Sequence, residues 1–232
     1  MDVRDVVGVL WTWTPYLAGG FGWNIIVSVA AMAVGTVLGA GLAHGRLAGP
    51  GGLARLARGA TAASRNVPTF VCLFYLAFLV PNEVTLGGLA LPVPAWMKAA
   101  LALAVAVVGY ISDTLGLALA ERRAGRPEAW LLFLPAWMTY FLIIVMASST
   151  ASVIGVSEIV SRANTVIGAT GREDLMVWIY LYAMLWFLAF CWPLTLLMRV
   201  LQQRIRSGLL LRPGQSRHAA AISGQPSAVG QR

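Results

Sequence analysis

The chain has 232 residues and a mass of 24.8 kDa, with 59% hydrophobic residues, 11% charged residues and a mean hydropathy of +0.75. A soluble domain carries about 25% charge, so this composition excludes an ordinary soluble enzyme, a disordered chain and a nucleic-acid-binding domain. What remains is a polytopic helical membrane protein. Its 17 basic and 9 acidic side chains give a formal charge of +8. The basic residues gather in short loops and in the C-terminal tail, where a positive-inside bias puts them, and no basic patch interleaves with aromatics as single-strand binding requires. Cys72 and Cys191 each lie inside an apolar run, which predicts buried, inert thiols and neither a disulfide framework nor a metal site.

Residues 6–43 are free of charge, too long a stretch for one simple span. Pro15 and the cluster Gly19, Gly20 and Gly22 divide it. Residues 6–14, with Trp11 and Trp13, suit a short interfacial helix, because an indole is apolar but its N–H needs a wet partner. Residues 23–43 form the first span. Residues 44–59 hold Arg46, Arg55 and Arg58 around a Gly49-Pro50-Gly51-Gly52 breaker and read as a basic loop. A second span covers residues 60–81, with Arg65 in its first part, and residues 82–94 are a Gly/Pro-rich loop. The third span covers residues 95–120, with Trp96 and Lys98 at its outer end and Asp113 toward the other. A charged run follows at residues 121–128. The fourth span lies within 129–157, a mixed-charge loop fills 157–174, and the fifth span runs over 175–198 with a possible kink at Pro193.

Five spans place the termini on opposite sides. Thirteen of the 17 basic residues fall on one side, in the 44–59 and 121–128 loops, at Arg65 and in the tail. That side is the cytoplasm, so the N-terminus is outside and the C-terminus inside. The expected organisation is an interfacial segment at 1–21, a five-helix membrane domain at 22–206 and a basic, disordered cytoplasmic tail at 207–232, with arginines suited to anionic lipid. No HExxH, Walker A or dinucleotide fingerprint occurs, and neither His44 nor His218 has partners for a triad. The chain therefore reads as no enzyme, with no catalytic, metal or cofactor-binding residues of its own. Within the spans, Arg65 and Asp113 are the ionisable groups nearest mid-membrane; they read either as functional or as an interfacial or helix–helix ion pair. Gly35-x-x-x-Gly39 permits close helix approach.

Several stretches then resemble the permeases of polar amino-acid ABC importers. Gly22-Trp23-Asn24-Ile25-Ile26-Val27-Ser28, with Gly35 and Gly39 following, is similar to the start of that family's first long helix. Ser64-Arg65-Asn66-Val67-Pro68-Thr69-Phe70 is similar to its R-x-x-P second helix, and Gly109-Tyr110-Ile111-Ser112-Asp113 to its A-Y-x-x-E, with Asp for Glu. Gly125-Arg126-Pro127-Glu128-Ala129 stands where the family has G-Q-x-E-A, and Ser152-Val153-Ile154-Gly155-Val156-Ser157-Glu158-Ile159 resembles S-V-I-G-V-x-E-L. After Glu128-Ala129 the chain turns apolar at Trp130 to Pro135, so the loop that docks the ATPase in this family is shortened here.

The resemblance implies an all-α type I importer fold in the bacterial cytoplasmic (inner) membrane. It implies a second permease subunit, identical or different, a cytoplasmic ABC ATPase dimer that binds ATP and Mg, and an extracytoplasmic solute-binding protein. Membrane lipids are partners and nucleic acid is not. Arg122, Arg123, Gly125, Glu128 and Ala129 are the expected ATPase-coupling remnant. Arg65, Pro68, Asp113, Ser148, Ser149 and Ser152 are candidates for the solute path or for helix packing, with the serine hydroxyls also able to bond back to helix carbonyls. The alternative is a non-transporting scaffold or regulatory subunit derived from such a permease.

Overall fold

The computed structural model describes residues 3–86, 89–125, 131 and 133–210. It is built of α1 (Val3–Ala48), α2 (Gly51–Asn66), α3 (Thr69–Leu79), a hairpin of β1 (Glu83–Leu86) and β2 (Leu89–Pro92), α4 (Ala95–Arg123), α5 (Phe133–Ala147), α6 (Ile159–Thr170) and α7 (Met176–Leu210). A 3-10 turn, Ser148–Ile154, extends α5. Among the described residues, four stretches are long and apolar enough to cross a membrane: Arg4–Ala48, Ala95–Arg123, Phe133–Ile154 and Glu173–Ile205. The pair α2 and α3, bent by 96° at a short break, makes a fifth if the two are counted as one broken span.

Three features depart from the sequence reading. First, α1 runs unbroken for 46 residues through Pro15 and the glycine cluster. At 1.5 Å per residue it is about 69 Å long, more than twice the ~30 Å hydrocarbon core, and residues 3–21 of the expected interfacial segment continue the first span as one helix. Second, the span expected at 60–81 is two helices. Pro68 lacks a backbone donor and disfavours helix at the preceding residue; Val67 is accordingly extended, at φ −78° and ψ 123°. Third, the loop expected at 157–174 contains α6. Glu158 is its N-cap, its carboxylate accepting from the amides of Val160 and Ser161, and Gly171 ends it in the left-handed region at φ 61°.

The core forms along α1 and α4, which run side by side. Val27, Ala31, Leu103, Val107 and Ile111 are buried between them and their neighbours. Gly35 and Gly39 make this approach possible. A Cβ on Gly35 would overlap the Val107 side chain, and one on Gly39 would sit 2.8 Å from both Ile111 Cβ and Val108 O. In a lipid solvent, helices gain little from the hydrophobic effect, and backbone proximity through small residues supplies the packing instead. A second core packs the N-terminal part of α1 (Leu17, Phe21) onto α6 (Ile159, Ala163, Val166) and α7 (Ile179, Ala183).

The short helix α3 is held at its C-terminal end by a side chain from α4. Its 11 residues reach only about 16 Å. At its C-terminus Lys98 is almost fully buried at 3% exposure, and its ammonium donates to Val80 O at 2.6 Å and Asn82 Oδ1 at 2.9 Å. A cation at a helix C-terminus satisfies orphan carbonyls and the dipole together.

Candidate functional site

The break between α2 and α3 opens a cleft. A cavity of about 440 Å³ lies against it, lined by Arg65, Thr69, Tyr110, Asp113, Thr114 and Tyr140, among others. A second chamber of about 240 Å³ adjoins it, lined by Arg46, Arg58, Thr61, Ala62, Arg65 and Asp113. Arg65 and Asp113 border both chambers, so they stand where the two meet. Irregular backbone at membrane depth is tolerated where it lines such a cavity, because water can satisfy the freed polar groups.

Each wall has an identifiable cause. Gly109 lets α2 cross α4, since a Cβ there would lie 2.6 Å from Ser64 Oγ and 2.7 Å from Arg65 Cγ. One turn further along α4, Asp113 accepts from Arg46 Nη1 at 2.6 Å and from Arg65 Nη1 at 2.5 Å. Arg46 Nη1 also reaches Ser112 Oγ at 3.2 Å, and Ser112 and Thr61 share a hydroxyl bond of 2.8 Å. Three helices, α1, α2 and α4, are therefore joined through one carboxylate. The opposite wall is a stack of Tyr110 on Tyr140, with ring centroids 3.8 Å apart. Their hydroxyls donate to Ala136 O at 3.1 Å and to Ala106 O at 3.2 Å.

The candidate residues from sequence fall in separate places. Arg65, Pro68 and Asp113 come together at the cleft, with Pro68 as the N-cap of α3. Ser148, Ser149 and Ser152 lie on the 3-10 turn, and their hydroxyls donate to the carbonyls of Val145, Met146 and Ser149 at 2.7 to 2.9 Å. Arg122 and Arg123 end α4, and Arg123 Nη1 donates to Leu47 O at 2.8 Å, which ties this end to α1. Gly125 follows in the left-handed region at φ 82°. Glu128 and Ala129 lie outside the described residues.

A second polar cluster was not singled out from sequence. Asn24 of α1 is fully buried; its Nδ2 donates to Ser148 Oγ at 2.9 Å and to Glu158 Oε2 at 3.0 Å. Its Oδ1 accepts from the amide of Ile159 at 3.2 Å. Glu158, at 0% exposure, accepts from the amides of Val160 at 3.0 Å and Ser161 at 2.8 Å. Burial pushes the Glu158 carboxyl above its usual range, while the two amides and Asn24 pull it back. The signal was present in the sequence, in a Glu placed just before an apolar-periodic segment, but a 12-residue helix flanked by charges reads as a loop.

The arrangement invites comparison with known proteins. No family model matches the chain. A solved amino acid ABC transporter, described as crystallised with histidines, superposes with a TM-score of 0.66 and 20% identity, over 86% of this chain and 98% of the other. The chain shares the fold of that solved transporter chain. In sequence the chain is similar to a probable amino-acid ABC transporter permease protein of Bacillus subtilis, YckA, at 28% identity over 204 residues, covering 82% of this chain and 89% of the relative. Within this fold the cleft lies at the α2–α3 break, and the buried Asn24–Ser148–Glu158 cluster ties the middle of α1 to α6.

Proposed function

We propose that this chain is the membrane permease subunit of an ATP-driven ABC importer whose solute is an amino acid or a similar small polar molecule. The likeness to an amino-acid permease and to an amino acid ABC transporter supports the class. The observation that carries the role is the helix break: two half-length helices meet beside a polar cleft of about 440 Å³, bordered by the Arg65–Asp113 ion pair. An ionisable group within a span is costly unless it lines a path or is paired, and Arg65 is both paired with Asp113 and on the cleft wall.

In this reading the chain sits in the bacterial inner membrane with its N-terminus outside. It forms the path with a second permease subunit, receives solute from an extracytoplasmic binding protein, and is driven by a cytoplasmic ATPase pair that binds ATP and Mg. The exposed end of α4 at Arg122, with Gly125 and the adjoining Glu128 and Ala129, is the ATPase contact. Arg123 braces that end against α1, so a push on it is passed directly to the α1–α4 pair. Coupling requires contacts that differ between the two states of the ATPase.

The test is an affinity pull-down of tagged protein from mild detergent, with ATPase activity measured on the eluate. Recovery of an ATPase, and its loss in Arg122→Ala and Glu128→Ala, is the expected result. A chain recovered alone overturns the importer reading and leaves the scaffold subunit in its place.

A further inference from the structure

The cleft holds more hydrogen-bond donors than its own acceptors can use. Three arginines, Arg46, Arg58 and Arg65, border the inner chamber together with one carboxylate, Asp113. Both oxygens of that carboxylate are taken, Oδ1 by Arg46 and Oδ2 by Arg65. A guanidinium carries five N–H donors, no acceptor, and a charge that persists at any physiological pH. Arg65 spends one nitrogen on Asp113, and 63% of its side chain stays exposed. Arg58 is exposed and has no hydrogen-bond or ion-pair partner among the described residues. Thr61 donates to Ala57 O and shares its hydroxyl with Ser112. The chamber is therefore in positive excess and short of acceptors.

The faces of α2 are also divided. Arg58, Thr61, Ala62 and Arg65 recur at helical spacing and form one stripe along the chamber. Leu53 and Leu56, both exposed, lie on the other flank, where lipid tails suit them.

We propose that this stripe is an oxyanion site: Arg58 and Arg65 hold the carboxylate of a small anionic solute, and the cleft discriminates against cations. The inference rests on the importer reading and names its substrate class. A planar fork matches a carboxylate through two parallel bonds, and Arg58 and Arg65, two turns apart on α2, can present such forks from one side of the chamber. A phospholipid phosphate offers the same oxygens, and the experiment separates the two sources.

The purified chain is placed in nanodiscs of phosphatidylcholine, and thermal unfolding is followed by tryptophan fluorescence. L-glutamate, L-arginine and sodium chloride are added at matched ionic strength, and a parallel set contains phosphatidylglycerol. L-glutamate raises the unfolding midpoint saturably and L-arginine does not. Arg58→Gln raises the half-maximal L-glutamate concentration by about tenfold, the worth of one charge-assisted bond, and keeps the ligand-free midpoint. Arg55→Gln, outside the chamber, changes neither. The proposal is overturned if L-arginine protects equally, if neither protects, or if Arg58→Gln has no effect. Protection by phosphatidylglycerol alone also overturns it and makes the stripe a lipid site. Each of these results leaves an ATPase co-purifying with the chain, whereas failure of the importer reading is the absence of that ATPase.

Discussion

Two polar clusters sit in the same bundle and are built in opposite ways. At Asn24, Ser148 and Glu158 every polar group is buried and bonded, and one asparagine serves three partners across α1, the 3-10 turn and α6. At Arg46, Arg65 and Asp113 the groups are half-exposed, border open space and leave donors unused. A closed network in a low dielectric is worth most when complete and costs most when one member is lost. An open one contributes little to stability, because solvent screens its ion pairs. The first cluster holds the fold together; the second is free to meet a ligand.

Mutations that divide stability from transport break or sharpen this contrast. The largest effect is expected at Glu158→Ala, which strips the N-cap of α6 and takes one acceptor from the part-buried amides of Val160 and Ser161 and from the buried Asn24 side chain. Loss of the cap costs about 1 kcal/mol and each orphaned donor about 1–3 kcal/mol. Little folded protein should survive detergent size-exclusion chromatography. Asn24→Ala comes next, at about 2 kcal/mol, read as a lowered thermal midpoint with the remaining folded protein still able to bind its partners.

Arg65→Gln is the reverse case. The side chain is mostly exposed, so the midpoint should move by less than about 1 kcal/mol, while ATP-driven solute uptake by the reconstituted complex falls at least about tenfold. Equal losses of stability and uptake at Arg65 would remove the distinction between the clusters.

The smallest effect is a pH dependence. Glu158 has a folded-state carboxyl raised by burial, against an unfolded value of about 4.3. A raised group contributes its stability in full below the unfolded value and loses it as pH rises through the folded one. The midpoint of the wild type relative to Glu158→Gln should therefore fall from pH 4 toward neutrality.

The large elements were legible because membrane spans declare themselves as long charge-free runs, and the apolar stretches at α1, α4, α5 and α7 do so. The break at α2 and α3 was not. Hydropathy averages across Pro68, and nothing local to residues 60–81 shows that α3 relies on Lys98, distant in sequence, to cap its last carbonyls. Half of the cleft could be read: Arg65 and Asp113 stand out as charges inside spans. Arg46 did not, because a charge next to a glycine-rich breaker reads as a loop residue, and only the parallel packing of α1 on α4 brings it to Asp113. Glu158 was hidden for the complementary reason. Its partners are backbone amides and an asparagine, so no opposite charge in the sequence marks it, and its N-cap position shows only once α6 is recognised as a helix.

The most direct test of the account is whether water reaches the cleft and stays out of the closed cluster. In a chain with Cys72 and Cys191 replaced by serine, Ala62→Cys and Thr69→Cys sample the two chambers, and Ser28→Cys, whose parent hydroxyl bonds to Asn24 O, samples the closed cluster. Inside-out vesicles are treated with a membrane-impermeant charged maleimide. The account predicts that residues 62 and 69 are modified and residue 28 is not. Protection of both cleft positions would mean that the broken span is sealed by lipid or protein and that the solute path lies elsewhere.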